Sequence, residues 1–129
     1  MRTMLDRDSY LKLLEIIGEL AEKAESGSVI LVEGKKDEEA LRKMGIRGEI
    51  VAISQKSLSR ISDFFMEREV IVLTDWDESG RRLEENLRRV LYNADFSLRR
   101  ELIKVVGKWT TRVEDLPAIL ELFERNIKI

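Results

Sequence analysis

The chain contains no cysteine and no histidine among its 129 residues. Their absence excludes disulfide bonds, zinc sites built from thiolate or imidazole ligands, and catalytic machinery of the Ser-His or Cys-His kind. Any chemistry must therefore use carboxylates, hydroxyls, lysine or arginine. The sequence also lacks an apolar run near the roughly 18 residues that a membrane span requires, and its start lacks the features of a secretory signal. We predict a cytoplasmic protein with no membrane partner.

The net charge of the chain is also small. The chain has 23 basic and 25 acidic residues, which leaves a formal charge of -2. Such a balance lacks the overall positive charge typical of nucleic-acid-binding domains. A cation held by clustered carboxylates would offset part of the negative charge. The length suits one compact core, so we predict a single domain over residues 1–129.

Apolar residues are spaced in a way that predicts alternating helices and strands. Short continuous apolar runs at residues 29–32, 49–53 and 70–74 predict strands, and a fourth strand is predicted over 102–106. Helical spacing predicts helices over 8–25, 37–44, 57–66, from Ser79 through Leu91, and over 115–125. Strands that alternate with helices favour an α/β fold, with a mostly parallel sheet of about four strands flanked by helices on both faces.

Acidic residues follow two of the predicted strands. Glu33 ends the first apolar run, and Asp75 and Asp77 follow the third. Ligands of open parallel sheets bind beyond the carboxyl ends of the strands, and residues two apart in extended backbone project to the same side. Carboxylates without nitrogen or sulfur partners suit Mg²⁺, for which Mn²⁺ is a substitute. If the two strands are neighbours, Glu33 lies near the aspartate pair.

Two motifs carry a resemblance to a known family. The segment VILVEGKKD, followed about forty residues later by VIVLTDWDESG, resembles the Toprim domain of topoisomerases, primases, recombination proteins, OLD-family nucleases and the maturase of five-S ribosomal RNA. The resemblance covers about residues 28–120 and is strongest to that maturase and to small archaeal proteins that consist of little more than Toprim. It implies a Rossmann-like Toprim fold, with Glu33 as acid/base and metal ligand and with Asp75 and Asp77 as the magnesium-coordinating pair.

The resemblance implies a magnesium-dependent protein that acts on RNA or DNA, by nuclease-like cleavage or transfer of a phosphodiester. Lys35 and Arg81, near the two acidic motifs, are candidates for contacts to phosphate. The alternative is a non-catalytic module that binds nucleic acid or a partner protein in an RNA or DNA processing assembly. The residues leave open whether the chain is an enzyme by itself. A homodimer or a protein partner fits the small surface of one domain.

Several charged and aromatic residues allow more than one interpretation. A D-x-D motif also opens the site of haloacid-dehalogenase-type phosphatases, but there it usually follows the first strand and continues with Thr or Val. Asp37 and Glu78 are interpreted as helix-surface charge, with a role behind the metal ligands left open. Arg99 is interpreted as ordinary surface. Trp76 fits either stacking on a base or packing within the fold.

Overall fold

The structure, a computed structural model, describes residues 7–55 and 67–127. It contains helices α1 (Arg7–Glu25), α2 (Lys35–Lys43), α3 (Glu78–Val90), α4 (Ser97–Val106) and α5 (Leu116–Asn126), and strands β1 (Val29–Val32), β2 (Ile50–Ala52), β3 (Val70–Val72) and β4 (Ala94–Asp95). Short 3₁₀ turns follow β2 and precede α5. The helix predicted over residues 57–66 lies outside the described residues.

The four described strands form one parallel sheet in the order β2-β1-β3-β4. Val29 of β1 is in register with Val70 of β3, and Ile30 of β1 is in register with Ile50 of β2. The prediction of an α/β fold with a parallel sheet of about four strands is confirmed. Because β1 and β3 are parallel neighbours, their carboxyl ends lie at the same edge of the sheet.

Both faces of the sheet are covered. Alternate residues of a strand point to opposite faces, so Ile30 and Val32 join one apolar cluster while Val29 and Leu31 join another. The first cluster contains buried residues of α1, α2, α4 and α5. The second contains Leu87 of α3. Burial on both faces explains why these strands read as continuous apolar runs.

The fourth strand was predicted in the wrong place. Residues 102–106 belong to helix α4, and the strand at that edge of the sheet is the two-residue β4 (Ala94–Asp95). Leu98, Leu102 and Val106 are buried at four-residue spacing, which is the period of a helix face. The apolar run contains only the second half of that pattern, so it resembles a strand when taken alone.

Helix α1 is amphipathic, as its apolar spacing predicted. It spans 19 residues and buries Leu13, Ile16, Ile17 and Leu20 along one side. Among residues 7–55 and 67–127, no helix has both the length and the apolar content needed to cross a membrane. The cytoplasmic location stays a prediction.

Candidate metal centre

Three carboxylates meet at the carboxyl edge of the sheet. Glu33 directly follows β1, and Asp75 and Asp77 come shortly after β3. One oxygen atom from each of the three side chains lies within 4.8 Å of the other two. The structure therefore brings together the three residues that the sequence singled out, although they come from two separate motifs. All three are half-buried.

Each of these carboxylates is oriented by one backbone N–H group. Asp75 N donates to Glu33 Oε2 over 2.8 Å, and Val113 N donates to Asp75 Oδ1 over 2.9 Å. Gly80 N donates to Asp77 Oδ1 over 2.8 Å. The described residues donate no hydrogen bond to the second oxygen of any of the three. The cluster thus has fixed side chains and one uncommitted oxygen per residue.

The residue between the two aspartates packs inside the fold. Trp76 is 8% exposed, its indole Nε1 donates to Thr110 O over 2.7 Å, and its backbone N donates to Thr111 O over 2.9 Å. Of the two interpretations left open by the sequence, the structure shows the packing role. Asp77 has extended backbone and is the N-cap of α3, since its side chain accepts from the third residue of that helix turn.

Gly80 is required by close approach of the backbone. A Cβ atom at this position would lie 2.0 Å from Asp75 O and 2.8 Å from Glu33 Oε2. The missing side chain lets the first turn of α3 pack directly against the end of β3. The atoms closest to this position belong to two residues of the acidic cluster. A Cβ atom at Gly34 would meet nothing within 4 Å.

Arg99 was wrongly predicted to be ordinary surface. It is 3% exposed, and its guanidinium donates to Thr74 O over 2.9 Å and to Asp75 O over 2.7 Å. A third bond, over 3.2 Å, pairs it with Glu84. Arg99 follows the buried Leu98 on α4, so the helical spacing of the apolar residues could have predicted that Arg99 is buried. Residues 102–106 of this helix were instead predicted as a strand, and the spacing was therefore not recognised. The side chain fixes the end of β3 and places a positive charge near the cluster.

The electrostatics of the cluster favour protonation of its carboxylates. Burial raises the pKa of Asp75 to about 7, and the charges of Asp37, Glu33 and Asp77 add to the rise. The N–H of Val113 opposes it. Burial also raises the pKa of Glu33, against the lowering effect of its hydrogen bond from Asp75 N. Half-buried carboxylates that repel one another in this way are typical of functional sites.

Asp37 lies behind the cluster and is not the surface charge that was predicted. It is 5% exposed, and its Oδ2 accepts from Gly34 N over 3.1 Å. The bond joins the first turn of α2 to the residue after Glu33, so Asp37 supports the cluster from behind. Burial raises the pKa of Asp37, and the nearby charge of Glu114 adds to the rise.

The two candidate phosphate-binding residues flank the cluster. Lys35 is the first residue of α2, and Arg81 lies in the first turn of α3, where its N donates to Asp77 O over 3.0 Å. Both side chains are exposed. Neither forms an ion pair with any residue in 7–55 or 67–127. Their contact with phosphate stays a prediction.

Comparison with known proteins gives the family. A UPF0292 protein of Archaeoglobus fulgidus is 36% identical over 118 residues, which cover 88% of this chain and 94% of that protein. The chain belongs to the UPF0292 family. A UPF0292 protein of Pyrococcus furiosus is 39% identical over 113 residues and 84% of each chain. The predicted resemblance to small archaeal proteins is confirmed, because the match covers most of the length of both relatives. No protein-family model matches this UPF0292 chain.

Two solved structures are similar to this chain. A protein from Aquifex aeolicus is 32% identical, with a TM-score of 0.66 over 80% of this chain and 96% of its own. A small Toprim domain protein from Bacillus stearothermophilus is 24% identical, with a TM-score of 0.47 over 70% of this chain and 92% of its own. The first of these likenesses supports the α/β arrangement described above for this UPF0292 protein.

Proposed function

We propose that this UPF0292 protein is a magnesium-dependent enzyme that cleaves or transfers a phosphodiester of RNA or DNA. The observation that carries the proposal is the meeting of Glu33, Asp75 and Asp77, with oxygens within 4.8 Å, at the carboxyl edge of a parallel sheet. Ligands of open α/β sheets bind at this edge. The resemblance of the two motifs to Toprim proteins points to the same chemistry.

The residues present fit a hard divalent cation. The donors are all carboxylate oxygens, and each side chain has an oxygen that no described residue uses. Mg²⁺ prefers oxygen ligands at about 2.1 Å, usually with only one or two carboxylates, so opposite ligands stand about 4.2 Å apart. The three oxygen atoms of the cluster lie within 4.8 Å of one another. Mn²⁺ accepts similar ligands. When bound, such an ion stabilises charge on the scissile phosphate and lowers the pKa of a bound water.

Glu33 is the proposed acid/base residue as well as a ligand. Asp75 N holds its Oε2 in place, so Oε1 is the atom through which Glu33 would either bind the ion or exchange a proton with the attacking or leaving oxygen. Its raised pKa brings the side chain closer to the neutral range, where proton transfer in both directions is efficient. Asp75 and Asp77 are the proposed metal-holding pair.

Lys35 and Arg81 are the proposed phosphate contacts. They stand at the first turns of α2 and α3, on either side of the acidic cluster, and their charges are not engaged in ion pairs within the described part of the chain. A guanidinium binds two oxygens of one phosphate, and an ammonium acts as a point charge. Together they would hold the sugar-phosphate backbone beside the carboxylates.

The test is cleavage of labelled RNA and DNA with and without Mg²⁺ by the wild type and matched variants. Asp75→Asn keeps an oxygen that accepts from Val113 N but removes the negative charge, and Glu33→Gln acts similarly toward Asp75 N. Both should lose activity at least about a hundredfold. Glu85→Gln, on the exposed side of α3, should cleave like the wild type.

Two results would argue against the enzyme. Cleavage that persists in Glu33→Gln and Asp75→Asn would come from another site or a contaminant. Binding of nucleic acid without turnover, in any divalent ion, would favour the non-catalytic module in an RNA or DNA processing assembly. Size measurement in solution would test the expected homodimer.

A further inference from the structure

The loop over residues 107–112 is bonded to the segment that carries Asp75 and Asp77. It connects α4 to the turn that precedes α5. Trp76 donates to the carbonyls of Thr110 and Thr111, and Val113 N donates to Asp75 Oδ1. These three bonds attach the loop to the same segment that carries two of the proposed metal ligands. Its distance from the cluster is therefore fixed by the fold.

The loop is also held by hydrogen bonds of its own. Thr110 is 8% exposed, and its Oγ1 donates to Asp115 Oδ2 over 2.6 Å while accepting from Arg112 N over 2.9 Å. The loop and Asp115 line a surface concavity of ≈ 420 Å³. A surface with fixed backbone loses little conformational entropy when a ligand binds. The concavity is thus formed before any ligand arrives.

The charge in this concavity is positive. Lys108 and Arg112 are exposed and form no ion pair with any described residue. Asp115 is the one acidic residue in its lining, and its Oδ2 already accepts from Thr110. By contrast, two of the four arginines of α3 are paired: Arg82 with Glu78 and Arg88 with Glu84.

Positive charge near the acidic cluster would help an anionic substrate to bind. Three ionised carboxylates repel a phosphodiester, and one divalent cation offsets only two of their three charges. Cations close to the cluster attract a polyanion and raise its local concentration. We propose that the loop over residues 107–112 binds the phosphodiester backbone of a nucleic-acid strand through Lys108 and Arg112, while a neighbouring phosphate of that strand lies at the acidic cluster. This proposal rests on the proposed function.

The experiment compares two double variants that remove equal charge. One is Lys108→Gln with Arg112→Gln, and the control is Arg100→Gln with Lys104→Gln, two exposed cations of α4 that line no part of the concavity. Binding of a short fluorescent single-stranded oligonucleotide is followed by anisotropy over a range of salt concentrations, with Ca²⁺ in place of Mg²⁺ so that the strand stays intact.

We expect the loop variant to bind about tenfold more weakly at low salt. Its slope of log affinity against log salt should fall by about 1.4, which is about 0.7 for each phosphate of a single strand that the variant no longer neutralises. The control should match the wild type in both. Equal slopes in the two variants, or a wild type that binds no oligonucleotide, would overturn the proposal. The proposal would also fail if the loop bound inorganic phosphate with the same affinity as the oligonucleotide.

A second measurement separates this proposal from the proposed function. Hydrolysis of bis(4-nitrophenyl) phosphate, a small phosphodiester, depends on the acidic cluster and needs no strand on the loop. The control variant should hydrolyse it at the wild-type rate in Mn²⁺. If the wild type does not hydrolyse it, the proposed enzyme is wrong whatever the loop binds. If the wild type hydrolyses it but the salt slopes of the two variants do not differ, only the loop proposal fails.

Discussion

Glycine occupies positions 34 and 80, beside the acidic motifs, under different structural constraints. A methyl group at Gly80 would meet the backbone oxygen of Asp75 at 2.0 Å, whereas one at Gly34 would meet nothing within 4 Å. A backbone atom cannot move aside as the end of a flexible side chain can. The first glycine is therefore demanded by packing, and the second lies in extended backbone that any residue adopts.

We predict that Gly80→Ala lowers the free energy of unfolding by about 2 kcal/mol, because the steric cost exceeds the gain in helix propensity. It should also weaken Mn²⁺ binding, since Asp75 and Glu33 must shift. Gly34→Ala is the matched control and should change stability by less than about 0.5 kcal/mol. Thermal unfolding with and without Mn²⁺ measures both. Equal effects of the two substitutions would contradict the packing argument.

At the scale of elements, the start of α3 combines two tasks in one side chain. Asp77 caps the helix by accepting from Gly80 N, and its other oxygen is free for a cation. A capping residue contributes about 1 kcal/mol, and asparagine caps as well as aspartate. The helical and the metal-binding roles can therefore be separated by choice of substitution.

Asp77→Asn should unfold like the wild type in EDTA but lose most of the stabilisation by Mn²⁺. Asp77→Ala should lose that stabilisation and a further ~1 kcal/mol without metal, because the cap is gone as well. Chemical denaturation in EDTA and in Mn²⁺ distinguishes the two. If Asp77→Asn keeps the full effect of Mn²⁺, Asp77 is a cap only.

Helix α4 supports β3 through one buried side chain. Arg99 bonds the carbonyls of Thr74 and Asp75 and pairs with Glu84. A lysine has a single donor group and cannot reproduce this fork. We predict that Arg99→Lys weakens Mn²⁺ affinity at least about tenfold, as loss of a supporting group behind metal ligands usually does.

Arg100→Lys is the control for that prediction, because the neighbouring side chain is exposed. Mn²⁺ affinity should be measured by electron paramagnetic resonance on protein shown to be folded. A variant that is less stable yet binds Mn²⁺ with wild-type affinity would show that Arg99 stabilises the fold without positioning the cluster.

At the scale of the whole molecule, the acidic cluster links stability to pH. The pKa of Asp75 rises from its ordinary 3.8 to about 7 on folding, so the folded protein binds more protons than the unfolded chain between these values. Its contribution to the free energy of unfolding is therefore greatest below about pH 4 and falls as pH rises through about 7. A divalent cation binds the ionised carboxylates, so its stabilising effect must grow over the same range.

We expect the unfolding temperature in EDTA to fall between about pH 5 and about pH 8 by more in the wild type than in Asp75→Asn, which cannot ionise there. The rise in unfolding temperature produced by Mn²⁺ should be larger at about pH 8 than at about pH 5 and absent in Asp75→Asn. An effect of Mn²⁺ that does not change with pH would place the ion elsewhere.

The sequence by itself determined the class of the fold and the chemistry of the cluster. Continuous apolar runs predicted β1 and β3 because strands buried on both faces need no polar alternation. The lack of cysteine and histidine left oxygen as the donor. These are local properties of composition and spacing.

Only the tertiary structure decided which residues meet. Glu33 accepts from a residue 42 positions away, Arg99 reaches back 24 positions to Asp75, and Val113 N bonds the same carboxylate across 38. No local pattern specifies such partners. Residues 102–106 were misread for the same reason, since packing of Leu98 and Leu102 against the sheet decides between helix and strand. The sequence alone identified the acidic residues, whereas the groups that orient them come together only in the folded protein.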